Sequence, residues 1–445
     1  MRQALALLAA VAFLITAICG VCAQVADDPD LVYPQGHKFP LGLYSISSAE
    51  DLQVAGEAGW NIAQTYNMKE NFLQTVAGVE GWHALAHLRG RTTDPLPQKA
   101  DDDEDAAADT RGTAANTEEA GETGARIEDT ERPQTKEEAG ADIQRLAAHN
   151  VVAWWDFPEE LRYWKEPEYD LVKNLSAWTR EFDPKKRPNY MYQPGHSSAE
   201  RVAKYVPYLD IIGVGTYTEY SHQPRAWVRW RIEETIRGIK LAGHEIGPDY
   251  LNGERVPIGL PMLFYSSDDR FDVITPAEAY HDFWSCIASG AKGIFVFSYW
   301  HKRDLGILQK TWERGYMRAA EQLTGGDLDQ AILFGDDYPL DVEITEGSPR
   351  TVTFRPYGVD EDISFPSVNV LAKRYEGTLY IITVSSRERP VSARISGLPE
   401  GIEELRVLFE DRSEEHGGNT VPVNGGVFED SYPHLTVHIY KAPMT

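Results

Sequence analysis

Val151-Val152-Ala153-Trp154-Trp155-Asp156-Phe157-Pro158-Glu159-Glu160-Leu161 is the stretch on which the reading of this chain turns. Val151–Phe157 is a nearly continuous apolar run of strand length, the pattern of a strand covered on both faces. Pro158 ends it, because proline offers no N–H to a sheet ladder. The Glu159–Glu160 pair that follows suits the positive end of a helix dipole. A short buried strand that passes directly into a helix is the repeating unit of a parallel α/β fold.

The same unit recurs on both sides of it. Strands are expected at Leu41–Ile46, Trp60–Tyr66, Ala84–Leu88, Val151–Phe157, Asn189–Gln193, Asp210–Tyr217, Ile258–Phe264 and Gly293–Tyr299. Helix starts lie between them. Ser47 with Glu50 and Ser197 with Glu200 read as capping boxes, and Thr275-Pro276-Ala277-Glu278 combines a cap, a first-position proline and a third-position Glu. The last helix of the series is expected over about Leu308–Leu323. Eight such units predict a (β/α)8 TIM barrel over residues 38–325. No Gly-rich phosphate loop follows any of the strands, which removes the main signature of a doubly wound sheet.

Residues 94–136 break the pattern. They hold 13 acidic and 5 basic residues, and no aromatic occurs between Trp82 and Trp154. Such a composition cannot bury a core, so the segment reads as a disordered acidic insertion at the end of strand three. Setting it aside leaves a barrel of about 245 residues, near the ~250 typical of that fold. After Gly326, short runs such as Thr351–Phe354, Val368–Ala372, Leu379–Val384 and Leu435–Tyr440 are divided by turn residues. They predict a C-terminal antiparallel β-sandwich over residues 330–445. All eleven Trp lie between Trp60 and Trp312, so this module carries none and reads as a supporting domain.

The chain has 445 residues and a net charge of −26. An acidic balance of that size excludes a general nucleic-acid partner and docking on an anionic membrane. Of the three Cys, two lie within the first 22 residues, and Cys286 sits in the apolar pattern DFWSCIASGA, where it reads as core. Arg2, the apolar run Ala4–Ile18, and Val21 with Ala23 form the pattern of a signal peptide over residues 1–23. The expectation is therefore a secreted or periplasmic protein, free of the membrane unless lipidated at Cys19 or Cys22.

In a barrel, chemistry lies at the C-terminal ends of the strands. That rim collects Tyr66, Asn67, His87, Trp155, Asp156, Glu159, Glu160, Tyr192, His196, Tyr217, Glu219, Arg225, Tyr299, Trp300 and His301. Glycosidic cleavage needs one carboxyl group to protonate the leaving oxygen, a second as nucleophile or base, and apolar ring faces against sugars. Glu160, Glu159, Glu219 and Asp156 are the candidate catalytic carboxylates. The others are candidate substrate-binding residues. Tyr217 and Glu219 share a face if strand six extends that far. Arg225 is placed to meet a carboxylate or sulfate on a substrate. Asp268 and Asp269 read as turn formers. Three rim histidines without HExxH or paired spacing give no metal site, and no cofactor is expected.

The sequence resembles the clan-A-like glycoside hydrolases over residues 38–325. The resemblance rests on FPLGLYS (Phe39–Ser45) with the following AGEAGWNIAQTY, on WWDFPEEL, and on TPAEAYHDFWSCIASGAKGIFVFSYW (Thr275–Trp300). It implies a TIM-barrel glycosidase with an appended β-domain, a carbohydrate substrate, and an acid/base at Glu159 or Glu160. The sequence departs from the family at strand seven, where LPMLFYSS (Leu260–Ser267) carries no Glu, and strand four lacks the usual Asn-Glu pair. A non-catalytic carbohydrate-binding or surface protein on a decayed glycosidase barrel is the alternative, with a polysaccharide lyase as a third reading.

Overall fold

The computed structural model describes residues 29–89, 134–193, 196–265, 270–299, 306–387, 389–412 and 418–444. Residues 1–23 of the expected signal peptide, residues 94–133 of the insertion, Asp268, Asp269, Trp300 and His301 lie outside them. The last three residues assigned to the insertion, Gln134 to Lys136, are described: Thr135 caps a helix that Lys136 begins.

Eight parallel strands close into a barrel: β1 (Leu41–Tyr44), β2 (Ile62–Gln64), β3 (His83–His87), β4 (Val152–Asp156), β5 (Asn189–Gln193), β6 (Ile211–Gly215), β7 (Glu254–Leu260) and β8 (Ile294–Val296). Each pairs in parallel with its chain neighbours, and β8 returns to pair with β1. Around them run α1 (Ala49–Glu57), α2 (Glu70–Ala77), α3 (Lys136–Ala147), α4 (Glu166–Phe182), α5 (Ala199–Tyr205), α6 (Ala226–Leu241) and α7 (Pro276–Ala288). The last helix passes through a π-helical turn at Trp312–Met317 between Gly306–Thr311 and Arg318–Thr324. This is the expected TIM barrel.

Aromatic rings fill the interior. Trp154 stacks on Phe295 at 5.6 Å between centroids, Tyr190 meets the same ring at 5.4 Å, and the Tyr44 and Tyr190 hydroxyls are 2.9 Å apart. Glycines on β6 make this possible. A Cβ on Gly213 would stand 2.5 Å from the Tyr190 hydroxyl, and one on Gly215 equally close to that of Tyr192. Spaced by two, they share one face of the strand and leave room for the inward rings of β5.

Several local readings need correction. Strand seven was expected at Ile258–Phe264 but runs Glu254–Leu260. Pro261 has no N–H to continue the ladder, so the regular strand stops before it and the run continues only as an isolated bridge from Met262 to Phe297. Two helix starts shift by one residue. Ser48 caps α1 by accepting from Asp51 N, and Ser198 stands at the start of α5 without a side-chain cap bond. The Thr275–Glu278 box forms in both directions, at 3.3 and 2.8 Å.

The C-terminal part is antiparallel. Its strands are β9 (Asp341–Glu346), β10 (Thr351–Phe354), β11 (Ile363–Pro366), β12 (Val368–Tyr375), β13 (Thr378–Ser385), β14 (Val391–Ser396), β15 (Glu404–Leu408), β16 (Thr420–Pro422), β17 (Val427–Tyr432) and β18 (Val437–Pro443). The larger sheet runs β12-β13-β18-β15-β16, with Asp336–Asp337 at its edge. It faces the sheet β9-β14-β17 across a core of its own. Side-chain alternation on β13 shows why the module is fixed to the barrel. Leu379 and Ile381 enter the sandwich core, whereas Tyr380, Ile382 and Val384 join the barrel's core. Asn369 Nδ2 adds a buried hydrogen bond of 3.1 Å to the Ala288 carbonyl at the end of α7.

Candidate active site

β4 builds the centre of the site. Alternation along the strand sends Trp154 and Asp156 inward and Trp155 outward. Asp156 is fully buried at the mouth of the barrel. Its Oδ2 accepts from Gln64 Nε2 at 3.0 Å and lies 2.9 Å from His87 Nδ1. Its Oδ1 is buried with no hydrogen-bond partner. Gln64 ends β2 and His87 ends β3, so three consecutive strands converge on one carboxylate.

Glu159 stands three residues further on, in the loop between β4 and α4. Tyr66, from the loop after β2, donates its hydroxyl to Glu159 Oε1 at 2.8 Å. Burial, then Asp156, pushes the Glu159 carboxyl well above its ordinary range. Glu160 adds to the rise, and the Tyr66 hydrogen bond works against it. The arrangement gives a carboxyl group that holds its proton at a pH where ordinary carboxylates have lost theirs. Burial and Glu159 in turn push the Tyr66 hydroxyl up, which keeps it a donor.

Glu160 occupies a left-handed backbone position at φ 54°, and its N–H donates to the Tyr192 carbonyl at 3.0 Å. A non-glycine residue there stores about 1 kcal/mol or more of strain, which the surrounding structure must hold in place. The charge of Glu160 acts on Tyr192 and Tyr217, the two rings stacked at 6.0 Å on the other side of the mouth. Glu159 acts on Tyr192 and Tyr217 as well, on Tyr217 more strongly than Glu160 does, so both carboxylates reach this ring pair while Tyr66 also ties Glu159 to the β2 side.

The fourth candidate carboxylate does not join this group. β6 ends at Gly215, so the pleat does not carry Glu219 round to the face of Tyr217. Glu219 instead pairs with Arg225, which also holds Asp282 and, at 3.0 Å, Glu278. Burial raises the Glu219 carboxyl, with Arg225 acting against the rise. Arg225 lowers the Glu278 carboxyl against the effect of its burial. Arg225, expected to meet an anionic group on a substrate, is 7% exposed, and its guanidinium is paired with three carboxylates of its own chain.

Two further expectations are corrected. Trp155 is buried on the outer face of β4, where its indole donates to Asp183 Oδ2 at 3.0 Å. Tyr299 is also buried, and its hydroxyl donates to Asp51 Oδ1 of α1 at 3.0 Å, away from the carboxylate group. Asn67 is exposed beside Arg89, His196 is half-buried, and Tyr192 is buried. Gln64, Tyr44 and Tyr190 were not among the expected site residues. Gln64 alone carried a signal, as a polar side chain ending an apolar strand. Beside the site, Asn67, His87, Arg89, Gln134, Asp142 and Arg145 border a cavity of about 400 Å3 floored by Met68, Leu88 and Ile143. Among the described residues no group of three or more His, Cys, Asp or Glu is arranged to hold a metal ion.

No family model matches the chain, and no curated protein matches it. An alpha-amylase from Geobacillus thermoleovorans, solved in complex with acarbose, is similar in structure at a TM-score of 0.51. The two are 10% identical, over 91% of this chain and 98% of that one. Eubacterium rectale Amy13B follows at 0.48 and 9% identity, over 92% and 96%. A GH30 endoxylanase from Clostridium papyrosolvens C71 gives 0.43 and 9%, over the same shares. The chain thus shares a barrel fold found in glycoside hydrolases. At such identity the likeness speaks for the fold alone.

Proposed function

We propose that this protein is an exported glycoside hydrolase that cleaves a polysaccharide or oligosaccharide. The observation that carries the reading is the Tyr66 hydroxyl bonded to Glu159 Oε1 next to buried Asp156, with burial and Asp156 raising the Glu159 carboxyl well above its ordinary range. A carboxyl raised in this way is the general acid that glycosidic cleavage requires. Glu159 gives its proton to the glycosidic oxygen as the bond to the anomeric carbon breaks. Glu160 is the second carboxylate: it bonds to the anomeric carbon and is later displaced by water, or it takes a proton from a water that adds there, and either route consumes one water. Asp156, held by Gln64 and His87, does not touch the reacting bond; its charge sets the proton affinity of Glu159.

The test is a reducing-sugar assay over soluble starch, xylan and β-glucan, with Glu159→Gln and Glu160→Gln beside the wild type. Each variant is expected to lose at least about a hundredfold in kcat/KM. Activity near wild type in both would remove the assignment. Export is checked by N-terminal sequencing of the protein recovered outside the cytoplasm, with Gln24 as the expected first residue.

One observation favours a second reading. The residues after β7, Pro261 to Tyr265, carry no carboxylate. A non-catalytic carbohydrate-binding protein on the same barrel would bind glycans in calorimetry and release no reducing ends.

A further inference from the structure

Large hydrophobic side chains are rarely left open on this surface. Among the described residues those exposed are Val54, Tyr66, Trp164, Leu241, Leu251, Tyr357 and Phe409. Three of the four aromatics stand at the C-terminal mouth of the barrel. Tyr66 already belongs to the site. Trp164 and Tyr357 come from distant parts of the chain and reach the same rim.

Trp164 ends the loop that carries Glu159 and Glu160, five residues beyond the acid. It is 51% exposed, with the Arg201 guanidinium 5.7 Å from its ring centre and Tyr163 edge-on at 5.1 Å. The loop is pinned beneath it. The Tyr205 hydroxyl of α5 donates to the Leu161 carbonyl and accepts from Tyr163 N at 2.7 Å. The ring is thus held open rather than left loose.

Tyr357 belongs to the C-terminal module, at the turn between β10 and β11. It is 50% exposed and meets His196 edge-on at 5.9 Å. The hairpin is fixed at several points. Arg355 Nε donates to Asp362 Oδ1 at 2.9 Å, Thr353 and Ser364 join hydroxyls at 2.7 Å, and the Arg229 guanidinium of α6 lies 4.5 Å over Phe365. His196 and Arg201 bracket the first turn of α5. Five residues of chain span at most roughly 17 Å, so Trp164 and Tyr357 contact the two ends of one short segment.

Rigid, half-open aromatic rings beside a carboxylate site suit the apolar faces of sugar rings, and they lose little side-chain freedom on binding. From this we infer that Trp164 and Tyr357 form an extended glycan-binding surface flanking α5, completed by the C-terminal module, and that its ligand is a polysaccharide chain rather than a single sugar. The inference rests on the carbohydrate reading of the site but not on turnover. It changes the part played by the C-terminal module, which supports the barrel and also supplies one ring of this surface.

Affinity electrophoresis through gels containing soluble starch, xylan or β-glucan tests it. The wild type should be retarded by at least one of these polymers. Trp164→Ala and Tyr357→Ala should each weaken that retardation about tenfold, the scale of one lost stacking contact. Trp164→Phe should restore most of it. Leu251→Ala, an exposed apolar change outside the rim, should match the wild type. Both rings are half in solvent, so neither alanine variant threatens folding; circular dichroism checks this. Wild-type retardation unchanged in both alanine variants overturns the inference, and so does a wild type retarded by none of the polymers. Retardation without any release of reducing ends sinks the hydrolase assignment and leaves this surface standing.

Discussion

Two carboxylate clusters share the mouth of this barrel, and they differ in one ingredient. Around β4, Asp156, Glu159 and Glu160 gather with tyrosines, a glutamine and a histidine. Around β6 and α7, Glu219, Glu278 and Asp282 gather on Arg225. Both are partly buried, and both are rich in acids. In the first cluster burial and Asp156 raise the Glu159 carboxyl well above its ordinary range, and what opposes the rise is the Tyr66 hydroxyl. The guanidinium in the second opposes protonation of Glu219 and holds Glu278 below its ordinary range. The first cluster is suited to chemistry and the second to anchoring α7 against the loop after β6. Counting acids at a rim does not separate the two roles; locating the cation does.

The sharpest way to break the contrast is to remove one acid from each cluster. Glu159→Gln is expected to lower kcat/KM on the polysaccharide that the wild type cleaves by two to three orders of magnitude, roughly the worth of a general acid. Glu219→Gln is expected to stay within severalfold of wild type. Equal losses, read in the same reducing-sugar assay, would dissolve the distinction.

Removing the cation is the next test. Arg225→Met leaves three buried or half-buried carboxylates without their partner, and loss of about 3 kcal/mol or more in unfolding free energy is expected from urea denaturation. Adding Asp282→Asn should recover part of it, because one uncompensated charge goes as well. A variant as stable as the wild type would show that Arg225 is not the keystone of this cluster.

The pH profile sharpens the other side. The acid must be protonated to work, so activity is expected to fall as pH rises through the elevated Glu159 value. Asp156 raises that value, so Asp156→Asn should move the alkaline limb to lower pH. Stability carries the same sign. A carboxyl whose folded pKa lies above the unfolded one contributes most below the ordinary carboxylate range and loses that contribution as pH climbs through the folded value. The fall in urea midpoint over that interval should be shallower in Glu159→Gln. The smallest expected effect is a control. Thr275→Ala removes the cap of α7 and costs about 1 kcal/mol, while leaving the alkaline limb of activity in place.

How much of this was legible in the sequence depends on the range of the interaction. β5 was read to its exact ends, because an apolar run bounded by turn residues is a local signal. The strand–helix alternation gave the barrel for the same reason, and β10 was read correctly at Thr351–Phe354. Where a local signal had two meanings, the wrong one was taken. LPMLF looked like strand until its proline is weighed, and Trp155 was expected at the site although the pleat sends Trp154 into the barrel and Trp155 to Asp183. Contacts between distant residues left no trace at all. Arg225 and Asp282 lie 57 residues apart, and nothing in their local sequence says that one would take up the other. Tyr357 and His196 meet across two domains. Asp156, Glu159 and Glu160 were named as candidates because they follow their strand directly; the hold of Gln64 on Asp156 and the rings of Trp164 and Tyr357 required coordinates.

The buried indoles have a practical consequence. Trp60, Trp154, Trp155, Trp284 and Trp312 are all buried in the barrel domain, and the sequence beyond Trp312 contains no tryptophan. Emission excited at the red edge of the protein's absorbance therefore reports on the barrel alone, and the β-module is dark at that wavelength. Far-ultraviolet dichroism sees both. Unfolding followed by the two signals on one sample gives a domain-resolved measurement without any added label. Coincident curves would mean that the sheet whose alternate residues enter both cores melts together with the barrel.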